Sequence, residues 1–226
     1  MPFKKSLDKK LTDGVAIFYK NKNLNIVSSE TINYSELVQN YNKKAQQRFA
    51  GLCIELEDIN SKKKFRIITV HLINKYQLED IKNLQMYVLK KYIDKITNLK
   101  QPYILCGDFN SRPTSAGYHG ITTGKTIKQF DFEDAEPIKP IIFTPKIFTK
   151  TKLVSSYKKV LKNELKNSNY APNFKDTLDY IFVNDLINIH WVLLPPTISY
   201  LKKQKYLPSR NYPSDHLLLM SILSIN

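Results

Sequence analysis

The sequence predicts an α/β fold, because short apolar runs alternate with longer segments in which apolar residues recur at helical spacing. The clearest helical pattern covers residues 77–99, where Leu84, Val88 and other apolar side chains share one face. Pro102 follows this segment, and the apolar run 103–109 then has the composition of a buried strand. Strand and helix signals therefore succeed one another, as they do in sheets covered by helices.

The other elements follow in chain order from the same two periodicities. Strands are expected at residues 14–19, 49–56, 65–72, 178–183, 189–194 and 217–223. The run 49–56 alternates apolar and polar residues, which is typical of a half-exposed strand, whereas 65–72 is more continuously apolar. Helices are expected at residues 35–47 and 155–165, and a short one after the turn at 111–117, with the rest of 131–175 irregular.

Length and composition favour a single domain over residues 1–226. A chain of 226 residues can bury roughly 70% of the surface of its unfolded form, and no linker or repeat divides it. The start has no apolar signal region, and no apolar stretch approaches the roughly 18 residues of a membrane span. We therefore expect a soluble protein without a membrane partner, in the cytoplasm or alternatively the nucleus.

Charge and cysteine content narrow the classes of partner. The formal net charge is +15. This charge favours a polyanionic binding partner, because Lys and Arg gain affinity by displacing counterions from phosphates. The richness in Lys, Asn, Ile and Tyr has a second explanation, an AT-rich genome, and composition alone does not decide between the two. Cys53 and Cys106 lie in apolar runs, so we expect buried thiols and neither a disulfide framework nor a zinc site.

Three short motifs place polar groups at the edges of apolar runs. They are Gly-Asp-Phe-Asn-Ser at 107–111, Thr-Leu-Asp-Tyr-Ile-Phe at 177–182 and Pro-Ser-Asp-His at 213–216. Asp108 and Asn110 are two positions apart at a strand end, so both can project into one pocket, although a solvated turn uses the same residues. Asp179 lies among apolar residues, where a carboxylate either has a charged partner or caps a turn.

Taken in this order, the motifs resemble those of the endonuclease/exonuclease/phosphatase superfamily, the metal-dependent phosphodiesterases of the DNase I-like fold. Asp-Gly-Val-Ala-Ile-Phe-Tyr-Lys at 13–20 and Thr-Val-His-Leu at 69–72 narrow the resemblance. They are similar to the carbon catabolite repressor type of deadenylase and its relatives nocturnin, Angel and the 2′-phosphodiesterases. The resemblance covers about residues 13–226. It implies two packed β-sheets flanked by helices, a four-layer sandwich of which this chain lacks the N-terminal strands.

The resemblance also implies a catalytic role for each motif residue. Asp108 would position or deprotonate the attacking water, and Asn110 would hold the phosphate. His216 would hydrogen-bond the scissile phosphate while Asp179 orients its ring. His71 would contact the phosphate, although on residue type alone a histidine here is more often part of the core or its rim.

Metal and base binding are implied in the same way. Asp215 and Asp108 would hold Mg²⁺, or alternatively Mn²⁺. Phe174 would stack on a nucleobase, as aromatic side chains do in many single-stranded RNA sites. A proline that forms the other side of the family's adenine clamp is replaced here by Tyr76.

The resemblance implies a Mg²⁺-dependent 3′-exoribonuclease that shortens RNA, with poly(A) tails as the expected substrate and mRNA degradation as its context. The N-terminal glutamate that binds metal in the family has no counterpart in the chain, so we expect weak or absent activity from this polypeptide alone. Two alternatives stay open: a non-catalytic RNA-binding or interaction module, and a 2′-5′ or other phosphodiesterase. No leucine-rich repeat is present in the sequence for docking to a deadenylation complex.

Overall fold

A computed structural model describes residues 14–39, 50–74, 79–126, 145 and 147–226 of the chain. Its strands are β1 Leu24–Asn33, β2 Ala50–Asp58, β3 Lys64–His71, β4 Tyr103–Asp108, β5 Val154–Ser155, β6 Asn169–Tyr170, β7 Lys175–Asp176, β8 Asp179–Val183, β9 Ile187–Val192 and β10 Ser221–Ile225. Its helices are α1 Tyr34–Gln39, α2 Glu79–Ile96, α3 Ala116–Thr123, α4 Ser156–Leu161 and α5 Ile198–Lys203.

A six-stranded sheet forms the centre, in the order β1-β2-β3-β4-β8-β5. Its neighbouring strands are antiparallel except β3 and β4, which are parallel and are joined through α2. Two smaller antiparallel pairs, β9 with β10 and β6 with β7, complete the strand arrangement of the described residues. The α/β prediction with sheets flanked by helices is therefore confirmed.

Both faces of the large sheet are covered away from its edge strand β1. On one face, Cys53, Ile68, Leu105 and Phe182 belong to a single apolar core with Leu84 and other side chains of α2. On the opposite face, β2 packs against residues 15–19. Farther along that face, the small β9–β10 sheet and α4 contact β8. The central strands β3, β4 and β8 are therefore held between two layers, which fixes where their ends lie.

Several predicted elements differ from those observed. Exposed and partly buried side chains alternate along residues 14–20, but these residues pair with no strand in the described part of the chain, so the strand predicted at 14–19 is wrong. Strand β2 is buried on both faces because residues 15–19 cover the side expected to be solvated. The strand predicted at 217–223 begins only at Ser221, because Leu218 and Met220 lie exposed in an irregular segment.

Other elements were missed or fall outside the described residues. Strand β1 is mostly exposed, and its Ser-Ser-Glu-Thr stretch lacks the apolar alternation of a strand. The helix predicted at 35–47 is described only as far as Gln39, and Tyr76 lies outside the described residues. None of the described helices combines the length and the apolar character needed to cross a membrane.

Gly107 allows β3 and β4 to approach each other closely. Its φ is +133°, and a Cβ at this position would lie 2.1 Å from the carbonyl oxygen of Val70 on β3. We expect Gly107→Ala to lower the free energy of unfolding by about 3 kcal/mol or more, since backbone strain and steric overlap each cost 1–3 kcal/mol. Urea denaturation measures this change.

Gly14→Ala is the matched control, because a Cβ at Gly14 would meet no atom within 4 Å. Its free energy of unfolding should stay within about 0.5 kcal/mol of the original protein. Equal stabilities of the two alanine variants would show that close contact at Gly107 does not constrain the sheet.

Candidate functional site

Three neighbouring strands of the large sheet carry predicted site residues at strand ends that lie side by side. The parallel pair β3 and β4 places His71 opposite Asp108. The antiparallel pair β4 and β8 places Asp108 opposite Asp179. Because residues in register on neighbouring strands project to the same side, these three side chains form a row across the sheet. His216 joins the row from the segment before β10, where it forms an isolated bridge with Asn169.

Asp108 lies at the centre of this row. Its Oδ1 accepts a hydrogen bond of 2.7 Å from the backbone N–H of Asn110. Its Oδ2 is 3.6 Å from His71 Nε2 and 3.9 Å from His216 Nε2. The Asn110 Nδ2 donates to Leu72 O at 3.0 Å and lies 3.3 Å from Asp108 Oδ2. One carboxylate, one amide and two imidazoles therefore share this pocket.

The imidazole of His216 contacts Asp179, the residue that the family resemblance gives as its partner. His216 Nδ1 lies 2.8 Å from Asp179 Oδ2. The hydroxyl of the fully buried Ser168 donates to the same carboxylate oxygen at 2.7 Å. Ser168 Oγ in turn accepts hydrogen bonds from the backbone N–H groups of Leu178 and Asp179. The Asp179 carboxylate is therefore held by a serine hydroxyl that is itself fixed by two backbone N–H groups.

The contact between Asp179 and His216, together with burial, changes the pKa values of the groups in the pocket. The hydrogen bond to Asp179 raises the pKa of His216 to about 9, although partial burial of the ring acts in the opposite direction. Burial raises the pKa of Asp108 to about 6, and the nearby charge of Asp179 adds to the rise. His216 is consequently protonated at neutral pH, with Nδ1–H on Asp179 and Nε2–H on the side of Asp108.

The same residues form the candidate metal site of the described chain. Asp108, Asp179 and His216 each offer a ligand atom, and these atoms lie within 4.8 Å of one another. An imidazolium does not ligate a cation, so the carboxylates are the usable ligands, and carboxylate oxygens are what Mg²⁺ and Mn²⁺ prefer. Asp215, the other predicted ligand, lies outside this group, and its Oδ2 is 3.4 Å from Asn169 Nδ2. Asp108 and Asp179 are therefore the residues of this group that could hold a divalent cation, although Asp179 Oδ2 already contacts Ser168 and His216.

The predicted base-stacking residue, Phe174, lies just before β7 on the β6–β7 hairpin. The guanidinium of Arg112 lies over its ring, 5.4 Å from the centroid, and Arg112 Nε is 2.8 Å from Asp176 Oδ2. Tyr170 N–H of the hairpin donates to Asp215 O at 2.8 Å. The hairpin is therefore attached directly to the segment that carries His216, and the half-buried ring of Phe174 belongs to the same structural unit.

Sequence reasoning missed three residues of the site. Ser168 and Asn169 stand in a polar stretch that is indistinguishable from a surface loop, yet both are buried beside Asp179 and Asp215. Lys82 on α2 donates to the backbone carbonyl of Asn110. These contacts join residues far apart in the chain, so no local pattern could have indicated them.

Removing the Asp179 carboxylate should change the protonation of His216. In Asp179→Asn we expect the pKa of His216 to fall from about 9 toward its ordinary value of 6.5, because the hydrogen bond to Asp179 is its largest cause. NMR titration of the imidazole resonances measures this change. Asp185→Asn, at an exposed carboxylate, is the control for general charge. A His216 pKa that is the same in both variants would contradict the pairing.

The same pair should make stability depend on pH. A histidine whose folded pKa lies above its unfolded value stabilises the fold at low pH, and this contribution disappears as the pH rises through the folded pKa. For His216 the contribution is complete below about 6.5 and is lost as the pH rises to 9. Chemical denaturation across this window should show a fall in the free energy of unfolding that is smaller in Asp179→Asn. Equal slopes would argue against the prediction.

Comparison with known proteins identifies the family of this chain. The model of the endonuclease/exonuclease/phosphatase family matches residues 5–216. A CCR4-Not complex 3′-5′-exoribonuclease subunit Ccr4 from Kluyveromyces lactis is 27% identical over 97% of this chain and 30% of its own length. A probable Ccr4 subunit from Vairimorpha ceranae is 30% identical over 95% of this chain and 45% of its own length. The chain thus spans less than half the length of these curated relatives.

Solved structures agree on the fold. The human nocturnin catalytic domain, with a bound sulfate, superposes with a TM-score of 0.63 at 23% identity, over 91% of this chain and 62% of that one. ANGEL2, described as a 2′,3′-cyclic phosphatase, superposes with a TM-score of 0.74 at 20% identity, over 92% of this chain and 69% of that one. Together with the family match over nearly the whole chain, these likenesses lead to one conclusion: this chain belongs to the endonuclease/exonuclease/phosphatase family.

Proposed function

We propose that this chain is a metal-dependent phosphodiesterase that hydrolyses RNA from its 3′ end, in the manner of a deadenylase. The observation that carries the proposal is the row of His71, Asp108 and Asp179 across three strand ends, with His216 held beside it. Relatives described as 3′-5′-exoribonucleases support the choice of RNA as substrate. The net charge of +15 suits a polyanion.

Asp108 is the proposed base. Hydrolysis requires a group that accepts the proton of the attacking water, and a carboxylate performs this better when its pKa is raised. Burial and the neighbouring Asp179 raise the pKa of Asp108. The Asn110 N–H at 2.7 Å fixes one carboxylate oxygen, which leaves Oδ2 facing the two imidazoles for contact with water.

His216 and His71 are the proposed phosphate donors. The Nδ1 of His216 is occupied by Asp179, so its Nε2–H is available to a non-bridging phosphate oxygen. A donor aimed at an oxygen that gains charge in the transition state contributes about 2.7–4 kcal/mol. His71 Nε2 approaches the same region from β3. Asn110 would add its amide by exchanging the 3.3 Å contact with Asp108 for a phosphate oxygen.

A divalent cation, Mg²⁺ or Mn²⁺, would be held by Asp108, with Asp215, the residue before His216, as the second expected ligand. When bound, such an ion neutralises phosphate charge and stabilises the leaving 3′ oxygen. Because Mg²⁺ depends on one or two carboxylates and keeps several waters, binding to this chain should be weak. Phe174 would stack on a base next to the scissile phosphate, since every base offers a face to an aromatic ring.

A non-catalytic RNA-binding module is the second candidate. It is favoured by the pairing of Asp179 with His216, which occupies two of the three groups that could hold a metal in the described chain. The remaining carboxylate, that of Asp108, would then bind water without activating it for hydrolysis. This protein would bind RNA without shortening it.

Incubation with labelled oligo(A) and oligo(C) tests the proposal, with Mg²⁺, Mn²⁺ or a chelator present. We expect metal-dependent shortening from the 3′ end and at least about 100-fold less in Asp108→Asn, the lower range for loss of a general base. Asp185→Asn should be unaffected. A 2′-5′-linked oligo(A) tests the alternative linkage.

The possible results separate the candidates. Faster loss of oligo(A) than of oligo(C) would support deadenylation. Shortening that persists in Asp108→Asn would contradict the proposed role of this carboxylate. Retained RNA binding without cleavage would favour the non-catalytic module.

A further inference from the structure

The first two turns of α2 carry polar side chains that are buried. Lys82, Asn83 and Gln85 are 5%, 2% and 0% exposed, respectively. Burying an ammonium group is costly unless it is paired and hydrogen-bonded. Lys82 Nζ has both kinds of partner, because it lies 2.6 Å from Glu79 Oε2 and donates to Asn110 O at 2.6 Å.

Each of these side chains holds a backbone group next to the site. Asn83 Oδ1 accepts the N–H of Gly117, at the start of α3. Gln85 Oε1 accepts the N–H of Ile73, two residues after His71. Lys82 binds Asn110, two residues after Asp108. One helical segment therefore holds the chain where it leaves β3 and where it leaves β4.

The Asn110 backbone needs such support. Its φ is +46°, in the left-handed region, which asparagine enters more readily than most non-glycine residues but at a cost relative to the right-handed region. Its carbonyl is held by the Lys82 ammonium, and its N–H donates to Asp108 Oδ1 at 2.7 Å. The next carbonyl, of Ser111, accepts a hydrogen bond from the buried Tyr180 hydroxyl at 2.7 Å. Two donors, one on α2 and one on β8, thus hold successive carbonyls of this turn.

We propose that Lys82 is a positioning residue of the site: its buried ammonium, paired with Glu79, fixes the Asn110 turn and thereby the direction of the Asp108 carboxylate. Hydrogen bonds from charged donors are short and about twice as strong as neutral ones, which suits a turn in a strained conformation. The effect of Lys82 on rate rests on the proposed hydrolysis; its effect on the turn does not.

The structure supplies a matched control on the same helix. Lys90 is also completely buried, and it pairs with Asp94 and Thr151, in a cluster separate from the Asn110 turn. Lys82→Met and Lys90→Met therefore remove the same chemical group from comparable surroundings. Both should lower the free energy of unfolding, but only the first should affect the site.

Steady-state kinetics on oligo(A) with Mg²⁺ give the first measurement, at a temperature where both variants are folded. We expect Lys82→Met to lower kcat by about 100-fold, the cost of a roughly 1 Å misplacement of a reacting group, with little change in KM. Lys90→Met should keep the original kcat. Lys82→Gln, which retains a neutral donor for Asn110 O, should recover part of the rate.

Hydrogen exchange at the Asn110 amide gives the second measurement, which needs no activity. Loss of the charged hydrogen bond should speed exchange at this amide by about tenfold or more in Lys82→Met, and not in Lys90→Met. If the original protein hydrolyses no RNA, the proposed function fails, and exchange alone then decides the role of Lys82.

Two results would overturn the inference. One is an equal loss of kcat in the two methionine variants, and the other is unchanged exchange at Asn110 in Lys82→Met. Should Lys82→Met not fold, the same two measurements are made on Lys82→Gln. Its intermediate values would support the inference, and values equal to those of the original protein would overturn it.

Discussion

The alignment of β3, β4 and β8 is the constraint on which the site depends. Parallel pairing places His71 beside Asp108, and antiparallel pairing places Asp179 on the other side of it. Gly107 permits this alignment, because any side chain there would collide with Val70. Since a shift by one residue would turn each side chain to the opposite face of the sheet, the core packing on both faces also keeps the site together.

Charge in the pocket is organised around one carboxylate pair. Asp108 and Asp179 face each other in register, so their negative charges would repel without compensation. His216 relieves this repulsion by lying between them, with one nitrogen toward each carboxylate. Ser168 adds a neutral donor to Asp179. Burial, and after it the neighbouring charge of Asp179, raises the pKa of Asp108. The two carboxylates therefore have different hydrogen-bond partners, although their residues occupy paired positions on neighbouring strands.

The spacing of apolar residues along the sequence predicted the helices and strands that are formed by neighbouring residues. The helix predicted at 77–99 and the strands predicted at 65–72, 103–109 and 178–183 lie close to the observed elements α2, β3, β4 and β8. The cost of burying a carboxylate predicted only that Asp179 has a partner or caps a turn, and the family resemblance named His216 as that partner. Residues 14–20 have the inward and outward alternation of a strand, but pairing depends on a neighbour that the pattern does not specify. Lys82 and Ser168 were not predicted, because their roles arise from partners 28 and 11 residues away.

The attachment of the β6–β7 hairpin to the His216 segment has a consequence for recognition. Tyr170 N–H binds Asp215 O, Asn169 bridges to His216, and Ser168 holds Asp179. Backbone hydrogen bonds therefore constrain the separation between the Phe174 ring on this hairpin and the His216 imidazole in the pocket. A ligand that contacts both Phe174 and His216 must match the distance between them. The site would therefore select ligands by length as well as by chemical group.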